Sequence, residues 1–172
     1  MTQQMKAILE QIERKTDIAL IGPEGSGKSS FLTNISIGEL KYMPSNDQMI
    51  EYVKYKQVTL MGWDVFEGSK LTVGHDVFGV IIMLDGHDPD TLSQYAKTLK
   101  ERLQKQIFKP VLILLNKADK GCKLTKEKVV AELGLRDINI TYQINEVSVL
   151  QNQNIVESID WLTQQLLPKD KM

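Results

Sequence analysis

Cysteine is almost absent: Cys122 is the only one in 172 residues. No internal disulfide can form, and without a CxxC pair or a His/Cys cluster a structural zinc site is excluded. A reducing compartment is the natural setting. Arginine is scarce as well, confined to Arg14, Arg102 and Arg136. An excess of one charge is also missing, since 21 basic and 22 acidic residues leave a net charge of −1. That removes any global electrostatic case for a nucleic-acid or anionic-membrane binder. The longest apolar run, Val77–Leu84, is far too short for a transmembrane span. Glu10, Glu13, Arg14, Lys15 and Asp17 interrupt the first residues, so no signal-peptide core is found there. The sequence thus predicts a soluble, intracellular protein. It shows no repeat, low-complexity stretch or linker, which predicts one domain over residues 17–168, preceded by a segment 1–16 and followed by a polar tail 169–172.

What is present is ordinary globular material: 42% apolar and 25% charged residues, too apolar for intrinsic disorder. A chain of this length buries about 70% of its unfolded surface without staples. Short apolar runs alternate with amphipathic stretches, the signature of an α/β domain. Asp17–Ile21 reads as a strand ended by Gly22. Met49–Tyr55 and Val58–Trp63 read as an antiparallel hairpin turning at Lys56–Gln57. Val77–Leu84 and Val111–Leu115 lack alternation, which suits parallel strands covered on both faces. Ile140–Val147 is a weaker last strand. Helices are expected at Lys28–Ile37, at Pro89–Phe108 behind the Asp88 cap, at Thr125–Leu133 before Gly134, and at Asn154–Leu167 before Pro168. Leu92, Tyr95, Leu99 and Leu103 form one apolar stripe; Ile155, Ile159, Leu162 and Leu166 form another.

The strongest motif is Gly22-Pro23-Glu24-Gly25-Ser26-Gly27-Lys28-Ser29, which fits GxxxxGK[ST] and lies between a predicted strand and a predicted helix. Glycines let the backbone turn so that successive N–H groups converge on phosphate oxygens. Lys28 reaches the terminal phosphates, Ser29 offers a hydroxyl to Mg²⁺, and the helix start at Lys28–Ser30 adds its positive dipole end. Strand Val111–Leu115 then runs into Asn116-Lys117-Ala118-Asp119. A carboxylate at Asp119 can accept from guanine N1–H and the exocyclic amine together, a donor pair that adenine lacks. Asn116 braces that loop, and the Lys117 stem suits the face of a ring.

These two motifs in this order resemble those of Ras-superfamily small GTPases, and Asn116–Asp119 resembles their NKxD motif. Three further features resemble the Arf/Arl branch: Trp63-Asp64, the Leu133-Gly134-Leu135 turn, and Asp160-Trp161-Leu162. The resemblance spans Asp17 to Leu167. It implies the P-loop NTPase small-GTPase fold: a six-stranded, mixed but mostly parallel sheet with helices on both faces, holding GTP or GDP with Mg²⁺. The implied nucleotide contacts are Gly22, Glu24, Gly25, Ser26, Gly27, Lys28, Ser29, Ser30, Asn116, Lys117 and Asp119. Ser148 and Val149 fall where the family's last motif meets the base, although its Ser-Ala type pair is not preserved. The implied Mg²⁺ ligands are Ser29, Ser45 and Asp64, with Ser45 read equally well as an ordinary loop serine.

The departures from that pattern concern hydrolysis. After Trp63 the family has Asp-x-Gly-Gly-Gln; here the run is Asp64-Val65-Phe66-Glu67-Gly68. Glu67 stands where a glycine offers its N–H to the γ-phosphate, and Gly68 stands where the water-orienting Gln belongs. No catalytic side chain is therefore assigned, and GTP hydrolysis is expected to be slow or partner-dependent. The expected function is a guanine-nucleotide-dependent switch. The alternative is a structural subunit or scaffold that keeps the nucleotide as a fixed cofactor. A P-loop kinase or ATPase fits less well, because it needs an arginine-rich lid and leaves Asn116–Asp119 idle. Met1, Met5, Ile8, Leu9 and Ile12 give segment 1–16 an amphipathic helical pattern. Thr2 excludes the N-myristoylation pattern, and mixed charge weakens attraction to anionic lipid. Packing on the domain or on an effector protein is the reading preferred over peripheral membrane contact. His75 and His87 read as solvated loop residues, Cys122 as structural, Trp63 and Trp161 as core or half-buried aromatics.

Overall fold

The computed structural model describes residues 17–36, 41–45, 48–55, 58–64, 77–105 and 109–166. Within them, seven strands form one sheet: β1 (Asp17–Gly22), β2 (Lys41–Ser45), β3 (Gln48–Tyr55), β4 (Val58–Asp64), β5 (Gly79–Asp85), β6 (Val111–Asn116) and β7 (Tyr142–Glu146). The helices are α1 (Lys28–Ile35), α2 (Pro89–Gln104), α3 (Lys126–Leu133) and α4 (Ile155–Leu166). Strand order is β2-β3-β4-β1-β5-β6-β7. Only the β2–β3 and β3–β4 pairings are antiparallel, so β3 alone runs against the rest.

The unalternating runs behave as expected of central strands. In β5 and β6, twelve of thirteen positions from Gly79 to Asp85 and Val111 to Asn116 are buried, Asp85 being the exception. Successive side chains feed two cores on opposite faces of the sheet. Val80, Ile82 and Leu84 pack with Leu92, Leu99 and Leu103 of α2 and Val129 and Leu133 of α3. Ile81 and Met83 face the other way, against Phe31 and Leu32 of α1 and Ile155, Ile159 and Leu162 of α4. Tyr95 and Leu166 complete their stripes from partly buried positions, and Trp161 packs half-buried at the edge of the second core.

The caps of α2 and α3 follow their sequence signals, whereas α1 ends at Ile35 and α2 at Gln104, short of the expected Ile37 and Phe108. Asp88 caps α2: its carboxylate accepts from the Thr91 hydroxyl at 2.8 Å and the Asp90 N–H at 3.1 Å, and these bonds hold its carboxyl below the usual range. Thr125 caps α3 by accepting from the Lys128 N–H at 3.2 Å, and Gly134 ends that helix in the left-handed conformation.

Three expectations are revised. The sheet has a seventh strand, β2, which sequence inspection leaves as loop and which places Ser45 at a strand end. Pro44 interrupts its pattern, yet an outer strand needs no N–H on its free side. The last strand shortens to Tyr142–Glu146. Val77 and Phe78 precede β5, with the Phe78 N–H donating to the Asp17 carbonyl at 2.8 Å. The hairpin of β3 and β4 forms as expected. Segment 1–16, residues 65–76 and residues 167–172 lie outside the described residues.

Gly22 shows how tightly the site's base is built. A methyl group added there would overlap the main-chain carbonyl of Met83 on β5, and neither strand has side-chain freedom with which to yield. Gly22→Ala is expected to cost about 1–3 kcal/mol of stability by overpacking. Urea unfolding monitored by circular dichroism measures this, and an unchanged midpoint contradicts the close packing.

Candidate nucleotide-binding site

The C-terminal ends of β1, β5, β6 and β7 lie side by side, and the segments leaving three of them enclose a cavity of about 950 Å³. An open parallel sheet places its ligand crevice at this edge. From the β1 side the cavity is lined by Glu24, Gly25, Gly27, Lys28, Ser29 and Ser30; from the β6 side by Asn116, Lys117, Asp119 and Lys120. Val149 and Leu150 close it from beyond β7, and Thr33 and Asn34 of α1 form its rim.

The loop after β1 turns through two left-handed glycines, Gly25 at φ 76° and Gly27 at φ 102°. Gly27 is also where the chain enters α1, and no side chain caps the helix there. The opening amides of a helix lie outside its own hydrogen-bond ladder, and a helix start facing a cavity is the donor set an anion requires. A side chain at Gly27 would overlap the Asn116 amide, so the close approach of the two loops itself demands glycine. Lys28 is 6% exposed, and its ammonium donates to the carbonyls of Gly22 at 2.9 Å and Pro23 at 2.7 Å.

Asn116, buried at the end of β6, joins two of the three cavity segments. Its Nδ2 donates to the Ser26 carbonyl at 3.0 Å, and its Oδ1 accepts from the Val149 N–H at 3.1 Å. Asp119 lies on a single 3₁₀ turn, Ala118–Lys120, entered through Lys117 in the left-handed region at φ 66°. The fully buried Ser148 donates its hydroxyl to Asp119 Oδ1 at 2.5 Å while accepting the Gln151 N–H at 3.1 Å. The carboxylate is thereby fixed, and its oxygens keep further acceptor capacity. Asp119 and Val149 line the cavity, while Gly22, Ser26 and Ser148 lie behind the lining and support it.

Sequence inspection missed several of these residues. Asp85 pairs with the Lys117 ammonium at 2.5 Å and also accepts from the His87 N–H at 3.0 Å. A carboxylate ending an apolar run was the available signal. His87 is accordingly less solvated than expected, with Nδ1 3.0 Å from the Gly121 carbonyl. Leu150 is 84% exposed at the cavity mouth, and no motif marked it or Thr33, Asn34 and Lys120. The Cys122 thiol donates to the Leu124 carbonyl, and burial, followed by Glu146, pushes its pKa up. Among the expected metal ligands, Ser29 opens α1 within the cavity lining. The backbone of Asp64 ends β4 in register with Gly22, and Ser45 ends β2 two strands further out. No cluster of three or more His, Cys, Asp or Glu suited to a metal occurs among the described residues. Glu67 and Gly68 lie outside them.

The model of the ADP-ribosylation factor family matches residues 2–166. The chain belongs to that family. It is an Arf-like guanine-nucleotide-binding switch protein of the small-GTPase type. ADP-ribosylation factor-like protein 1 of Saccharomyces cerevisiae is 28% identical over 156 residues, covering 84% of each chain. ADP-ribosylation factor K of Dictyostelium discoideum is 24% identical over 163 residues, covering 90% of this chain and 87% of its own. The Arl6 BBS3 small GTPase from Trypanosoma brucei, solved with the nucleotide analogue GppNp, superposes with a TM-score of 0.65 at 18% identity. It covers 88% of this chain and 96% of its own, a likeness of fold. In this Arf-family protein the helices are too short or too polar to cross a membrane, among the described residues.

Replacing Asn116 with alanine strands the Ser26 carbonyl and the Val149 N–H in a buried setting, at about 1–3 kcal/mol for each group left unsatisfied. Asn116→Ala should therefore lower the urea midpoint of the ligand-free protein. An unchanged midpoint contradicts the bridging geometry.

Proposed function

We propose that this Arf-family protein holds GDP or GTP with its phosphates on the Gly22–Ser30 turn and its guanine against Asp119. The observation that carries this reading is one cavity lined both by the start of α1, where no side chain caps the helix, and by a carboxylate anchored through Ser148. In this reading the amides of Gly25 to Ser30 and the Lys28 ammonium receive the phosphates; Glu24 lines the same end. Lys28 exchanges its carbonyl partners for phosphate oxygens. Asp119 accepts from guanine N1–H and the exocyclic amine, and Val149 walls the base. The ion pair with Asp85 fixes Lys117, whose stem then lies along the ring. Ser29 supplies a hydroxyl to Mg²⁺, and Asp64 and Ser45 end their strands at the same edge of the sheet. Bound Mg²⁺ neutralises phosphate charge.

The protein acts as a switch in the cytoplasm or at a membrane surface, in this reading, and effector proteins meet it through segment 1–16 and the segments around Ser45 and Asp64–Gly68. The alternative of a scaffold with a permanently held nucleotide, which the departures at Glu67 and Gly68 suggest, is supported no better than the switch. Hydrolysis without a partner is slow, because Gly68 has no side chain with which to orient water. Single-turnover assays should give a rate below the roughly 10⁻⁴ s⁻¹ typical of unassisted small GTPases, and a clearly faster rate contradicts the assignment.

Specificity gives the sharper test. Xanthine carries a carbonyl where guanine carries its exocyclic amine, so an amide in place of the carboxylate inverts one hydrogen bond. Asp119→Asn should weaken GDP at least about a hundredfold and gain xanthosine diphosphate, both read by calorimetry. Unchanged GDP affinity removes Asp119 from base recognition.

A further inference from the structure

Val149 is held at both of its main-chain polar groups, and by two different elements. Its N–H donates to Asn116 Oδ1 at the end of β6, while its carbonyl accepts from Asn34 Nδ2 at 3.3 Å, on the last turn of α1. The same carbonyl also accepts the Asn152 N–H at 3.3 Å within the turn that Val149 begins. That turn is tight: Ser148 and Gln153 exchange main-chain bonds at 3.2 and 2.9 Å, and Asn152 takes a left-handed φ of 55°. Ser148, the neighbour of Val149, is the residue that holds Asp119. A displacement of Val149 therefore carries Ser148, and through it the carboxylate, away from the base position.

We infer that Asn34 is a positioning residue that ties α1 to the base loop and slows release of the bound guanine nucleotide. The inference rests on the nucleotide reading of the cavity. The helix that begins at the phosphate end, with Lys28 and Ser29, reaches with its last turn to the peptide that sets the base end. One rigid element thus joins the two halves of the site, and the base loop cannot swing outward without breaking the Asn34 bond. The bond lies at the rim of the cavity, on an exposed side chain, so it governs the opening of a loop rather than the stability of the core. Removing it strands no buried group, because the Val149 carbonyl keeps the Asn152 N–H. That makes Asn34 a clean site for substitution.

The test is the release rate of a fluorescent GDP analogue from the full chain at millimolar Mg²⁺, chased with excess GDP. Asn34→Ala should release it about three- to tenfold faster, the effect of one modest hydrogen bond. Asn34→Asp should be faster still, since a carboxylate faces the Val149 carbonyl, and Asn34→Gln, which restores a donor, should lie nearest the unsubstituted rate. Affinity for inorganic pyrophosphate, which engages the phosphate end alone, should stay within about twofold in all three. Release of GDP at the unsubstituted rate from Asn34→Ala and Asn34→Asp overturns the inference. So does a parallel loss of pyrophosphate affinity, which would place the effect on the phosphate loop or the fold. If the unsubstituted chain binds pyrophosphate but not the GDP analogue, the reading of the base site fails, and this inference with it.

Discussion

The amide of Asn116 occupies the junction on which the site depends. One end is bonded to the carbonyl of Ser26 in the loop after β1, the other to the N–H of Val149 in the loop after β7. These segments are 90 and 33 residues away in sequence, and Asn116 bridges them. A carboxylate at this position could not donate to Ser26, and an aliphatic side chain could do neither job. Gly27 completes the arrangement, because only a residue without a β-carbon lets the first loop lie against that amide. The loop after β1 and the loop after β7 are spaced by one buried side chain.

The sheet makes this junction possible. Parallel pairing of β1, β5, β6 and β7 brings their C-terminal ends to one edge, and each following loop is tied to its neighbour there. The Gly86 N–H donates to the Asn116 carbonyl at 2.7 Å, and the Gly86 carbonyl accepts from both Lys123 and Leu124. The Ala118 N–H reaches the Val147 carbonyl, and Lys117 pairs with Asp85. The loop after β6 is thus anchored on both sides while it lines the cavity. The left-handed conformation of Lys117 is the local strain this geometry holds in place.

Much of this was legible because it is local. A glycine-rich turn between a strand and a helix, and an Asn-Lys-x-Asp after an apolar run, carry their chemistry within eight residues. The unalternating runs of β5 and β6, the Asp88 and Thr125 caps and the Gly134 stop report burial and backbone geometry directly. What was not legible is non-local. Nothing near Asn34 indicates that it meets a carbonyl 115 residues away, and Asp85 gains its meaning only when β5 and β6 lie in register. Ser148 carried a weak signal because the pair it belongs to departs from the family pattern, yet its hydroxyl holds the carboxylate all the same. Strand β2 was hidden by Pro44, whose missing N–H matters little at the sheet's outer edge.

The central claim is that one cavity grips a guanosine phosphate at both ends. Calorimetric titration of the nucleotide-free chain at millimolar Mg²⁺ tests it most directly. The account predicts saturable one-to-one binding of GDP and no comparable heat with ADP. Equal affinity for ADP, or no heat with GDP, contradicts it.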